Sequence, residues 1–215
     1  MRTVTACAAV LFMTASLHAA TPTFYGSSAG FTAAVGTQVV DGYDSPPYDA
    51  GWNLYNDVTM SAFLGETDYQ TTGFTNWNIV SGGTYCAGCN GSFRLIFTST
   101  SVTSGGAVYG VGVDVATNTV PFYVAFITYG DATTQDVTMP ASGSFWGVTA
   151  PEGIVSVHIG LAGGGGTTSG SFQIGTLRIA AAPAAGSGAD LSLSETESAE
   201  PVTAVSVSRI SLSLA

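Results

Sequence analysis

From residue 38 onward, Gly, Asn, Asp and Pro punctuate the chain about every ten residues, and the intervals between them have a hydrophobic period of two or are solid runs of β-formers. The runs 38–43, 57–64, 92–99, 108–115, 122–129, 135–139, 145–149, 155–161 and 171–179 read as strands. In 92–99, Phe93, Leu95 and Phe97 alternate with Arg94, Ile96 and Thr98. In 108–115, Val111, Val113 and Val115 share one face, with glycines and Asp114 on the other, and 122–129 is apolar on both faces. No long amphipathic helix separates these runs. Parallel neighbours need helical crossovers, so the spacing predicts an all-β, antiparallel, jelly-roll-like β-sandwich. One short N-terminal helix is expected over 27–36. Ser27 stands at its N-cap, Phe31 and Val35 lie four apart on one face, and Gly36 is placed to take a left-handed conformation after it.

Composition removes several functions. The chain of 215 residues has four Arg, no Lys and 14 Asp plus Glu, for a formal charge of -10. Nucleic-acid binding requires a basic footprint, which is missing. Schiff-base chemistry and the lysine of a phosphate-binding loop are closed, so the glycine run 163–166 reads as a flexible connection. Low charge here does not mean disorder, because 46% of residues are hydrophobic.

Residues 1–20 carry a single early Arg2, an apolar stretch over 4–17 and the small pair Ala19-Ala20. This is the pattern of a secretory signal peptide rather than of a membrane span, and no later window is apolar enough to cross a bilayer. Residues 21–182 then form the sandwich domain, 183–188 a small-residue linker, and 189–215 a mobile or repeat-like tail. An exported chain sits in an oxidising compartment, so Cys86 and Cys89, in Tyr85-Cys86-Ala87-Gly88-Cys89-Asn90-Gly91, are expected to close a local disulfide. Two thiolates with only His158 nearby in kind do not make a zinc site.

Phe31-x-x-Ala34 followed by Val39-Val40-Asp41, then Val108-Tyr109-Gly110-Val111-Gly112-Val113-Asp114, Phe145-Trp146-Gly147-Val148 and Ile154 to Ile159, resembles the jelly-roll ectodomains of exported bacterial proteins of the PEP-CTERM type. The resemblance implies the sandwich fold and a secreted or cell-surface bacterial location, with no assigned activity. Asp41-Gly42-Tyr43 replaces that group's acidic pair, and Ile174-Gly175-Thr176-Leu177 lacks its last-strand Asp. In the tail, Ala189-Asp190-Leu191-Ser192-Leu193-Ser194 and Pro201-Val202-Thr203-Ala204 are similar to the opening of the Ig-like β-repeats of the DUF11 type in large bacterial surface proteins, here truncated.

Residues 43–85 hold nine of the 23 aromatic side chains. Several stand in loop-like company, as in Pro47-Tyr48-Asp49-Ala50-Gly51-Trp52-Asn53 and Thr75-Asn76-Trp77-Asn78. Rings flanked by amides and carboxylates suit a sugar, whose apolar face stacks while its hydroxyls find polar partners. Tyr48, Trp52, Asn53, Trp77 and Asn78 are the candidate carbohydrate platform; the alternative is that these rings cap the ends of the core. Asp41, Asp44, Asp49 and Asp57 cluster in one connection and are the candidate Ca²⁺ ligands, although no EF-hand spacing is present. No other cofactor is expected. His158 alternates onto the polar face beside Ser156 and reads as a solvent-facing strand residue. No catalytic residues are identified. The expectation is a non-catalytic surface or adhesion module, with an extracellular glycan or another surface protein as partner. A purely structural spacer domain is the first alternative and a glycan-active enzyme the second.

Overall fold

The computed structural model describes residues 21–73, 77–119, 122–166 and 170–185. In chain order the elements are β1 (Thr23–Tyr25), α1 (Ser28–Ala34), β2 (Gln38–Asp41), β3 (Trp52–Tyr55), α2 (Asp57–Leu64), β4 (Asp68–Thr71), β5 (Asn78–Ser81), β6 (Thr84–Ala87), β7 (Phe93–Ile96), β8 (Val108–Asn118), β9 (Val124–Tyr129), β10 (Thr134–Thr138), β11 (Ser144–Gly160) and β12 (Phe172–Ala180). The leader, residues 186–188 of the linker and the tail lie outside the described residues.

Every strand pairing among the described residues is antiparallel, and β11 organises the whole. Its first half pairs with β1 and β8, and β8 continues to β12. Beyond β12 lie β2 along one stretch, and β6, β5 and β3 along another. The second half of β11 pairs with β9 and β7, which lead to β10 and β4. One strand therefore belongs to both layers of the sandwich. The sequence pattern predicts two strands here, 145–149 and 155–161. The chain stays extended instead, and the break appears as a change of partner. Pro151 has no N–H to offer, and it lies between Thr149, the last ladder partner of β8, and Ile154, the first of β9. The core fills the space between the layers with Val111, Val113, Val115, Leu177 and Ile179 from one, and Leu95, Ala125, Ile127, Val157 and Ile159 from the other.

The glycine face of β8 has a reason of its own. A Cβ on Gly110 would stand 3.2 Å from the Phe31 ring, and one on Gly147 would stand 2.9 Å from Phe31 and 2.8 Å from Phe145. These glycines form a seat on which α1 lays Phe31, making a small second core with Val35, Phe145 and Ala180. Ser27 caps α1 as expected, its Oγ accepting from Gly30 N–H at 3.1 Å. Gly36 differs from expectation. The helix closes on an extended Val35, and Gly36 N–H donates to the Ala182 carbonyl at 2.9 Å. A Cβ there would meet Pro183 O at 3.1 Å, so close backbone approach explains this glycine.

The run 57–64, expected as a strand, is a second helix. Val58, Met60, Ala62 and Leu64 mimic a period of two, but the ends decide the matter. Asn56 Oδ1 accepts from Thr59 N–H at 2.8 Å, and Gly65 at φ 73° donates to Ser61 O at 3.2 Å. Among the described residues there are thus two short helices rather than one. No helix among the described residues is long and apolar enough to cross a membrane.

Candidate functional site

The aromatic segment divides into an interior and an exterior set. Tyr43, Tyr48, Tyr55, Tyr69 and Tyr85 are buried, with Phe63 packed against them. Their rings contact one another at centroid distances from 4.5 Å for Tyr48–Phe63 to 6.3 Å for Tyr48–Tyr55. Buried phenols need partners, and they find them inside. Tyr43 and Tyr69 share a hydrogen bond at 2.9 Å, Tyr48 donates to Asp41 Oδ2 at 2.5 Å, and Tyr85 donates to Asn78 Oδ1 at 2.7 Å. Burial pushes the Tyr43, Tyr48, Tyr69 and Tyr85 hydroxyls above the ordinary phenol range, so all four stay protonated.

Two members of the expected platform belong to this interior. Tyr48 is spent on Asp41. Asn78 is fully buried, accepts from Tyr85, and donates to Asp57 Oδ1 at 2.8 Å and Tyr55 O at 3.3 Å. Neither presents a group to solvent. Asn53 is half-buried and folds its amide back onto the Asp49 carbonyl at 2.8 Å.

The exterior set is smaller and better placed. Trp52 is 61% exposed, Trp77 51% and Leu54 44%. The register pairs Trp52 with Ser81, Leu54 with Ile79 and Tyr55 with Asn78. Asn78, Val80 and Tyr55 point into the core, so alternation sends Ile79 and Ser81, with Leu54 and Trp52 beside them, to the opposite face. Trp77 continues this ladder, because Gly88 N–H donates to its carbonyl at 3.0 Å. It therefore shares the outward face. Trp52, Leu54, Ile79 and Trp77 form one apolar strip on the last strands of the layer, where β3 is the terminal strand of the path. The two indoles are separated by four residues of strand, about 14 Å. Val58, 82% exposed, stands on α2 just past the end of β3 and borders an open depression of about 520 Å³. The rest of that depression is polar: Asn56, Asp57, Thr59, Gln70 and Thr71.

The four expected calcium ligands are distributed over separate tasks. Asp41 is buried, accepting from Tyr43 N–H at 2.9 Å and from Tyr48. Its pKa is raised, chiefly by burial. Asp44 joins it at a hollow of about 220 Å³ walled by Val40, Pro46, Pro47 and Phe63. Asp49 accepts from the Tyr55 hydroxyl at 3.2 Å. Asp57 opens α2 and accepts from Asn78 and from Thr71 N–H. Among the described residues, no three His, Cys, Asp or Glu side chains gather in a way that could hold a metal ion. The disulfide between Cys86 and Cys89 is formed, closing the turn after β6, with Gly88 and Cys89 both at positive φ.

His158 is half-buried rather than solvent-facing. Its Nε2 lies 2.9 Å from Thr72 Oγ1, which in turn lies 2.9 Å from Ser92 Oγ, and its ring lies 5.5 Å from that of Phe126. Burial, then the Arg94 charge, lowers its pKa against an opposing contact with the Gly164 backbone. The histidine ties two connections together, which alternation alone did not reveal.

Comparison with protein-family models, with curated proteins and with solved structures finds no match to this chain.

Proposed function

We propose that the protein is an exported, non-catalytic surface or adhesion module of a bacterium that binds carbohydrate through the outward face of β3 and β5. The observation that carries this reading is the pair Trp52 and Trp77, both more than half exposed and on one face of one ladder. Exposed contiguous apolar surface on a soluble chain marks an interaction site. Indole faces suit the C–H faces of sugar rings, and the polar depression beside Val58 offers amide, hydroxyl and carboxylate partners for hydroxyl groups. The leader-like pattern of residues 1–20, the disulfide and the jelly-roll resemblance support export. A non-catalytic role is supported by the state of the acids near the depression: Asp57, its one carboxylate, is already held by Asn78 and Thr71.

A second reading, a structural spacer of a surface protein, draws on the burial of Tyr43, Tyr48, Tyr55, Tyr69 and Tyr85, which spend most of the aromatic segment on the core. A glycan array separates the two. The wild-type chain is expected to bind a subset of glycans, and the Trp52→Ala, Trp77→Ala double variant to lose them while keeping its melting temperature. A silent array, or a double variant that binds like wild type, overturns the carbohydrate reading in favour of the spacer.

A further inference from the structure

We infer that the ligand is a neutral, ribbon-like polysaccharide in its insoluble form, bound by its flat face along the strip from Trp52 to Trp77. The inference rests on the carbohydrate reading and narrows it by shape, length and charge.

Shape comes from the ladder. The strip lies on the outward surface of paired strands, and alternation puts Trp52, Leu54, Ile79 and Trp77 at one level above the sheet. The hollow lined by Asp41 and Asp44, and the depression beside Val58, are lined by other residues. Neither hollow includes Trp52 or Trp77 in its lining, and both indoles are more than half exposed on the outward face of the ladder. A flat apolar surface complements a planar ligand face and gives little purchase on a single flexible chain, which would lose conformational freedom for two ring contacts.

Length follows from the separation of the rings. About 14 Å between the tryptophans exceeds one sugar ring, so no monosaccharide can engage both. Leu54 and Ile79 fill the interval with apolar surface and no hydrogen-bonding side chain. An extended polymer whose sugars present C–H faces on one side meets this whole strip. When many chains lie side by side in a solid, they are already ordered, and binding costs less ordering entropy.

Charge excludes the acidic glycans. Asp44 and Asp49 in the preceding connection and Asp57 at the start of α2 flank the strip in sequence. The arginines among the described residues are Arg94 on β7 and Arg178 on β12, and Arg178 is paired with Asp114 at 3.0 Å. A uronic or sulfated polymer would approach a chain of formal charge -10, and neither Arg94 nor Arg178 lies on the strands of the strip to receive it.

Depletion binding to microcrystalline cellulose and to chitin tests the inference, alongside calorimetry with soluble β-1,4-linked hexasaccharides and retardation in alginate. The wild-type protein is expected to partition onto one or both solids, with little change between low and high salt, and to show no saturable binding of the soluble oligomers. Trp52→Ala and Trp77→Ala should each weaken partitioning roughly tenfold. Phe122→Ala, which removes an exposed ring elsewhere, should leave it unchanged. Tight binding to soluble oligomers or to alginate overturns the inference while leaving a carbohydrate module. Retention on no glycan of any kind overturns both. A dimer in sedimentation that Trp52→Ala dissociates would put a second copy on the strip and overturn the inference as well.

Discussion

Tyr48 and Asp41 form the shortest side-chain pair of the aromatic interior, and their chemistry can be read through pH. Asp41 is buried, its pKa is raised chiefly by that burial, and it is held by the Tyr48 hydroxyl at 2.5 Å and by Tyr43 N–H. Tyr48→Phe keeps the ring and removes one donor from a buried carboxylate, a loss of about 1–3 kcal/mol. Urea denaturation should show that loss above the raised Asp41 pKa and a smaller one as pH falls through it, where the charge disappears. A loss that does not vary with pH would mean that the hydroxyl serves packing alone. His158 works in the opposite direction. Its folded pKa is lowered from 6.5, so between the two values the unfolded chain binds the proton more readily. The stability it confers is present above about pH 6.5 and is lost as pH falls toward the folded value. His158→Asn should flatten the stability profile between pH 7 and 5, and an unchanged slope would remove His158 from the account. The exposure of Trp52 and Trp77 was legible from their polar neighbours, but Tyr48 and Asn78 have similar neighbours and are buried. Local polarity does not say whether an amide faces water or a buried phenol, because that depends on partners such as Tyr85 that lie across a ladder.

At the level of elements, the seat of α1 explains why glycines occupy the second face of β8. Gly110, Gly112 and Gly147 lie side by side on β8 and β11 because Phe31 and Phe145 occupy the space their side chains would fill. Gly147→Ala should cost about 1–3 kcal/mol through overpacking, and Phe31→Ala about 3–5 kcal/mol through the vacated volume. Combined, they should cost less than the sum, since removing the Phe31 ring relieves one of the two contacts that the new methyl makes. Additive losses in chemical denaturation would place the strain elsewhere. The valine face of β8, the Phe93–Leu95–Phe97 alternation and the cap of α1 were readable because each is a local pattern with one outcome. The 57–64 run was not, because its apolar spacing satisfies both periods and only Asn56 and Gly65, outside the run, select the helix. Nor was the unity of β11, since proline and glycine signal a lost ladder partner as readily as a turn.

The whole molecule is held together by β11, which carries hydrogen bonds to β8 in one layer and to β9 and β7 in the other. Neither layer can unfold without stripping half of this strand, so the layers should melt together rather than as separate units. The crossing region supplies the test. Gly130, at the end of β9, donates to Gly153 O at 3.0 Å, and a Cβ on Gly130 would lie 2.1 Å from the Glu152 carbonyl oxygen. That contact is with backbone, which no side-chain rotation relieves. Gly130→Ala should therefore destabilise the protein by about 3 kcal/mol or more, beyond the usual range for a surface turn. Near-ultraviolet dichroism, dominated by the rings of the aromatic interior, and far-ultraviolet dichroism, which follows the strands, should move to lower denaturant together. Two separated transitions in the variant would show that the layers fold independently, and β11 would then be a connection between two units rather than the strand that makes them one.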